Sequence, residues 1–208
     1  MKATFLFIAL FWFNIISAQQ HKVKVTLHSI ESYGPYEDLA KRACAVFEKV
    51  LNSEAFSQAV LSGRYEKTNG YNNQKLYDII MKAQEKKGPG GKDSVVDLRV
   101  RILDLNGRDS YWKDNCELGS KAGTIGVDGG KNGITATCPQ RLELWAKEDN
   151  VPELAGHYAH EYMHTLGFNH YIPTALRLVR RQRWRQKTFV YKIGYLVRDL
   201  AKKEIATK

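Results

Sequence analysis

Alternating apolar and polar residues predict two β-strands. In the first, KVKVTLHS, Val23, Val25 and Leu27 alternate with lysine, threonine and histidine. In the second, VVDLRVRILD, every second residue from Val96 to Ile102 is apolar and the residues between them are charged. Alternation of this kind is typical of a strand with one buried face.

Apolar residues three and four positions apart predict amphipathic helices. One runs from Tyr36 to Leu51, a second from about Gln74 to Gln84, and a last one begins near Tyr191. Two short β-rich runs from Thr124 to Thr137, around a loop with Gly129-Gly130 and Asn132-Gly133, predict a hairpin or an irregular edge. The order of strand, helix, helix, strand, hairpin and helix favours a mixed α/β or α+β fold in one domain.

The N-terminus resembles an export signal. Lys2 precedes an apolar run from Thr4 to Ile16, and the small residues Ser17 and Ala18 follow. The run is shorter than the roughly 18 to 20 residues of a membrane span, although a retained anchor is the alternative. We therefore expect residues 1–18 to be a signal peptide and residues 19–208 to be one secreted domain, extracellular or periplasmic, with no transmembrane segment.

The three cysteines fit export to an oxidising compartment, where one pair and one leftover thiol are expected. Cys116 and Cys138 flank the glycine-rich hairpin, so the prediction pairs them. Cys44 lies at the edge of the apolar stripe of the first helix, where we expect a buried, inert thiol.

The segment HEYMHTLGFNH carries three histidines and a carboxylate in eleven residues. On a helix, His160 and His164 share one face and can reach a single ion. A catalytic zinc takes three protein ligands and leaves a position for water. Gly167 can end the helix and turn the chain so that His170 supplies the third ligand. Glu161 lies beside the first ligand, where it can accept a proton from the zinc-bound water.

The helix that carries these residues has a predicted start as well as a predicted end. Asn150 and Glu153 form a capping-box pattern, and Pro152 fits the first turn. His157 precedes His160 by one turn, and we expect it to be a helix-surface histidine because three ligands already suffice.

HEYMHTLGFNH matches HExxHxxGxxH, and by this motif the chain resembles the metzincins, a clan of zinc endopeptidases. The resemblance implies a twisted mixed sheet and two main helices above an active-site cleft (about residues 19–167). It also implies a small C-terminal helical subdomain below the cleft (about residues 168–208). His160, His164 and His170 would bind one catalytic zinc ion and Glu161 would be the general base. In that clan the edge strand of the sheet aligns the substrate, which here suggests the hairpin.

The chain departs from the clan in one respect, because it has no methionine after Met163 to form the methionine turn below the metal. We place that turn at TFVYKIG, with Phe189 as the packing residue. Tyr191 would then bind zinc or stabilise the oxyanion. A buried structural tyrosine is the alternative.

The formal net charge of +10 favours acidic partners. Six cations from Arg177 to Lys187 predict either a basic patch that contacts an anionic surface or polymer, or a solvated charged segment. The sequence thus predicts a secreted, monomeric zinc endopeptidase that acts on peptides or proteins, with no specific nucleic-acid partner. The alternatives are an inactive zinc-bearing protein that binds anionic partners through its basic surface, and a membrane-surface protein with structural zinc.

Overall fold

The computed structural model describes residues 22–87, 93–117, 126–128, 133–169 and 187–207. Within these ranges the chain forms a four-stranded sheet and seven α-helices. The strands are β1 (Lys24–Glu31), β2 (Val95–Ile102), β3 (Gly126–Asp128) and β4 (Ile134–Thr137). The helices are α1 (Glu37–Leu51), α2 (Glu54–Ser62), α3 (Asn73–Met81), α4 (Lys113–Cys116), α5 (Pro139–Lys147), α6 (Val151–Thr165) and α7 (Phe189–Ala206).

The sheet is mixed and has the strand order β1-β2-β4-β3. β1 pairs parallel to β2, and β2 pairs parallel to β4. β3 pairs antiparallel to β4 with Val127 opposite Ala136, as a hairpin requires, and β3 lies at the edge of the described sheet. Residues 129–132, which connect the two strands, lie outside the described residues. The expected mixed α and β architecture is therefore confirmed at this coarse level.

The main core joins the helices to one face of the sheet. Val96, Leu98 and Val100 of β2 are buried, as their alternation predicts. Phe47 of α1 meets Tyr162 of α6 with ring centroids 6.1 Å apart in an edge-to-face arrangement. Helices α1 and α6 thus pack against each other within the core that also buries β2.

Besides the four-residue α4, two helices, α2 and α5, do not appear in the sequence-based prediction. The Ser53 side chain accepts a hydrogen bond from the Phe56 backbone N–H and so caps α2. Pro139 stands in the first turn of α5, where its missing N–H leaves no helical hydrogen bond unmade. Each helix has nine residues and buries two large side chains, which gives a weak periodic signal.

The prediction of a turn at TFVYKIG is wrong. Phe189 is the first residue of α7, so these residues form the beginning of the last helix. Phe189 is nevertheless a packing residue: its ring lies 4.7 Å from that of Phe168 and 5.2 Å from that of Tyr65. The helical spacing of the buried residues Phe189, Val190 and Ile193 explains why the helix extends back through this segment.

The predicted disulfide between Cys116 and Cys138 is present, with a Cα–Cα distance of 5.4 Å. Both residues are fully buried in a second, smaller apolar cluster that also contains Leu103, Leu105 and Ala136. Cys44 is buried, as predicted, and burial raises its pKa to about 12. Its thiol is therefore protonated at neutral pH.

None of the helices in the described ranges has the length and apolar character that crossing a membrane requires. The predicted signal peptide, residues 1–18, lies outside the described residues. Its cleavage and the export of the chain therefore stay predictions.

Candidate metal centre

Helix α6 carries the predicted chemistry and begins where the sequence indicates. Asn150 occupies the N-cap position and Pro152 lies in the first turn, but the Asn150 side chain makes no cap hydrogen bond. Glu153 does not complete a capping box, because the Asn150 N–H donates to the Trp145 carbonyl oxygen at 2.7 Å. The Glu153 carboxylate accepts a hydrogen bond from the Lys202 ammonium group at 2.9 Å. The capping-box prediction is wrong, and Glu153 instead links α6 to α7.

The end of α6 is set by Gly167, as the sequence predicts. Gly167 has a φ of +89°, a left-handed conformation that glycine adopts without steric cost. Its N–H donates to the His164 carbonyl at 3.0 Å, and the Phe168 N–H donates to the Met163 carbonyl at 3.0 Å. This pair of hydrogen bonds is the Schellman motif, which ends the helix at Thr165, the residue after the last predicted helical ligand.

His160 and His164 lie on the same face of α6, as their spacing requires. Their ring centroids are 5.2 Å apart, and the rings are nearly perpendicular. The His160 side chain is 16% exposed, so part of its ring is accessible to solvent although most of α6 is buried. Two imidazoles in this arrangement supply nitrogen ligands of the kind that zinc prefers.

The helix end also orients His164. Nδ1 of His164 lies 2.8 Å from the Phe168 carbonyl oxygen, which can only accept a hydrogen bond, so Nδ1 is the protonated ring nitrogen. Burial lowers the pKa of His164, which favours the neutral ring. The lone pair is therefore on Nε2, and a backbone carbonyl behind the ring is the usual support of a metal-binding histidine. The tautomer and the orientation of His164 therefore fit the role of a zinc ligand.

Glu161 is buried next to these imidazoles. Its carboxylate oxygen Oε1 lies 4.0 Å from Nε2 of His160, and the residue is 4% exposed. A carboxylate beside a ligand ring can serve as a base without binding the ion itself.

Tyr191 comes to the same place from the first turn of α7. Its ring centroid lies 4.5 Å from that of His160, with the rings nearly perpendicular. The proximity arises because α6 and α7 cross closely at Gly156 and Gly194. A Cβ atom added to Gly194 would lie 3.0 Å from the Cβ of His160.

His157 is not a surface histidine, so that prediction is wrong. It is 6% exposed, and its ring centroid lies 6.0 Å from that of Trp145 on α5. The sequence contained a signal for this position, because His157 stands four residues before Glu161 and therefore on the same face of the helix.

His170, the third predicted ligand, lies outside the described residues, as do residues 177–186 of the basic segment. Among the residues that the structure describes, no group of three or more histidine, cysteine or acidic side chains could hold a metal ion. The described chain thus brings together His160, His164, Glu161 and Tyr191, and the complete ligand set stays a prediction.

Comparisons of the chain with protein-family models, with curated proteins and with solved structures find no match. The functional interpretation therefore depends on the motif and on the geometry around α6.

Proposed function

We propose that the protein is a secreted zinc endopeptidase of the metzincin type. The observation that carries this proposal is the arrangement at the end of α6, where two imidazoles lie with ring centroids 5.2 Å apart on one face of the helix and Glu161 lies beside them. The hydrogen bond from His164 to the Phe168 carbonyl directs Nε2 of His164 away from the backbone and toward a potential ion.

The architecture supports the same proposal. Two helices, α1 and α6, pack together beside a mixed sheet, and the antiparallel strand β3 lies at the edge of its described part. These features agree with the sheet, the two main helices and the substrate-aligning edge strand that a metzincin-like fold implies. An edge strand offers unpaired backbone groups to an extended peptide.

His160 and His164 would hold the zinc ion, with His170 as the third ligand. Zinc would supply a Lewis acid that polarises the scissile carbonyl and makes water more acidic. Glu161 accepts a proton from the attacking water and passes it to the leaving amine. Tyr191 donates a hydrogen bond from its phenolic hydroxyl group to the substrate carbonyl oxygen as negative charge develops there.

Peptide-library cleavage and metal analysis of purified protein test this function with two variants. Glu161→Gln should keep zinc and lower kcat by about 100-fold to 10,000-fold, because the base is lost while the ligands remain. His160→Ala should weaken zinc binding by more than about 100-fold, since direct ligands matter more than the groups that support them.

The matched control is His28→Ala, which removes an exposed histidine from β1. It should keep both zinc and activity. Unchanged turnover in Glu161→Gln would refute the assigned base. A protein that retains zinc through His160 and His164 but cleaves no peptide would instead be the zinc-bearing binding protein that the basic composition also suggests.

Tyr191→Phe separates the role of the hydroxyl from that of the ring. The phenylalanine ring keeps the packing against His160, so zinc content and KM should stay close to wild type. Loss of the donor should lower kcat by about tenfold, less than for an oxyanion site without a metal. If Tyr191→Phe has the kcat of wild type in steady-state assays, the hydroxyl has no catalytic role and Tyr191 only packs against His160.

A further inference from the structure

The buried imidazole of His157 has no place in the mechanism above. Its ring lies in the interior between α5 and α6, near Trp145 and Tyr158. Nε2 is buried and has no hydrogen-bond partner among the described residues. Nδ1 lies 3.8 Å from Oε1 of Glu161, one helical turn along the same face. A polar ring buried at this position requires a physical explanation, because most buried polar atoms are paired.

His157 is a neutral ring at physiological pH. Burial lowers its pKa to about 3. A neutral imidazole carries one N–H donor and one acceptor nitrogen, so the ring can present its single hydrogen in one of two directions.

The two directions differ in free energy. A hydrogen on Nε2 would be a buried donor without a partner, which costs about 1 to 3 kcal/mol. A hydrogen on Nδ1 would lie on the nitrogen that is 3.8 Å from Oε1 of Glu161, a carboxylate oxygen that accepts hydrogen bonds. The surroundings therefore favour the Nδ1–H tautomer. In this tautomer Nε2 is a hydrogen-bond acceptor without a partner, which costs less free energy than a buried donor without a partner.

The separation of 3.8 Å is longer than a hydrogen bond, and an approach of about 1 Å closes it. Catalytic hydrogen bonds often tighten when substrate binds. Oε1 lies near both histidines, 3.8 Å from Nδ1 of His157 and 4.0 Å from Nε2 of His160. A donor at His157 therefore acts on the same oxygen that faces the candidate ligand.

We propose that His157 is a positioning residue for the general base: its Nδ1–H group holds Oε1 of Glu161 and fixes the orientation of the carboxylate toward the attacking water. This inference rests on the proposed peptidase function. His157 touches neither substrate nor metal in this scheme, so its effect on the reaction passes through Glu161.

Nitrogen NMR of the wild-type protein, with ¹⁵N-labelled histidine, tests the pair without any activity assay. His157→Leu identifies the His157 signals by their disappearance. We expect the neutral Nδ1–H tautomer, which is the less common form of histidine, and we expect the Nδ1–H proton signal to move in Glu161→Gln. A neutral Nε2–H tautomer or an imidazolium ring would overturn the inference.

Kinetics then separate positioning from packing. His157→Leu fills the space without a donor, and we expect kcat to fall about 10-fold to 100-fold with KM and zinc content unchanged, because a misplaced base is costly. His157→Asn keeps an N–H near the position of Nδ1 and should restore most of kcat. Wild-type kcat in the leucine variant, or equally low kcat in both variants, would contradict the role.

The two proposals fail in different ways. If the wild-type protein binds zinc but cleaves no peptide, the proposed function fails, and the tautomer still decides whether His157 faces Glu161 as a donor. If the protein is an active peptidase with the Nε2–H tautomer, the inference fails while the function stands.

Discussion

Glu85 lies in the segment that follows α3, with part of its carboxyl group buried. Oε2 has no hydrogen-bond partner in the described part of the chain. Burial raises the pKa of Glu85 to about 8. The hydrogen bond that the carboxyl group accepts from the Asp97 backbone lowers the pKa, but by less than burial raises it. The neutral acid is therefore the form that the fold favours.

This shift predicts a pH-dependent loss of stability. Between pH 4.5 and about 8 the unfolded chain releases the Glu85 proton while the folded chain retains it, so the stability falls as the pH rises through this window. Glu85→Gln should match wild type near pH 4.5 and be more stable above pH 8. The side chain is partly exposed, so we expect a gain of about 1 kcal/mol, or 2 to 4 °C in Tm.

Thermal unfolding of both proteins across the pH range measures the difference. Glu143→Gln, at an exposed position on α5, is the control and should keep the pH dependence of wild type. A Tm difference between Glu85→Gln and wild type that does not grow with pH would contradict the assignment.

At the site itself, helical spacing predicts which residues share a face of α6, but it does not predict the contacts that packing adds to them. His160 and His164 share a face because they are four residues apart. The burial of His157 depends on Trp145 of α5, a helix that the periodicity does not reveal. The support of His164 by the Phe168 carbonyl likewise depends on backbone geometry after Gly167.

At the scale of elements, the crossing of α6 and α7 determines what reaches the site. A Cβ atom added to Gly156 would lie 2.8 Å from the Gly194 carbonyl oxygen, so the helices approach each other backbone to backbone. This approach lets Tyr191 contact His160 across the gap between the helices. Side chains larger than hydrogen at the crossing would separate the two elements.

Gly156→Leu should therefore destabilise the protein, even though leucine favours helix more than glycine does. Overpacking against the α7 backbone should cost roughly 3 kcal/mol, at the upper end of such substitutions. Chemical denaturation measures the loss. Lys203→Ala, on the exposed side of α7, is the control and should change the stability little. Wild-type stability in the leucine variant would mean that the helices can separate at no cost.

The sequence predicts elements well where one face is continuously apolar. α1 follows its predicted bounds closely because seven of its residues are buried at helical spacing. The pattern does not predict α2, because its two buried residues, Phe56 and Val60, are too few to give a clear helical periodicity. The stability of α2 comes from packing against neighbouring helices as much as from its own sequence. The turn at TFVYKIG was inferred from the resemblance rather than from spacing, and the spacing gives the correct answer.

At the scale of the whole molecule, the described chain has two apolar clusters of unequal size. The larger joins the helices to the sheet, and the smaller surrounds the disulfide. Next to the smaller cluster, the Arg101 guanidinium group binds the Asp109 carboxylate and holds the pKa of that carboxyl group below its usual range. The disulfide and this ion pair stabilise a region with little apolar surface to bury.

Removal of the disulfide should be costly for this reason. The crosslink joins residues 22 apart, and loss of its restraint on the unfolded chain should lower the free energy of unfolding by about 3 kcal/mol. For Cys116→Ala with Cys138→Ala, this loss corresponds to a fall in Tm of roughly 6 to 12 °C. Differential scanning calorimetry measures the change.

Wild-type protein with reductant should behave like the double variant, whereas Cys44→Ala should keep its dependence on reductant because Cys44 lies outside the crosslink. Equal Tm values for oxidised wild type and the double variant would contradict the prediction, because they would show that the disulfide does not stabilise the smaller cluster.

The turn at Gly167 joins two properties that are usually independent. The residue that terminates α6 also places the Phe168 carbonyl behind the His164 ring. A substitution that lets the helix continue for another turn would carry this oxygen away and free the imidazole to rotate. In the proposed metal site, affinity for zinc would then decline although every ligand is intact, so the proposed function would make metal retention depend on the length of a helix.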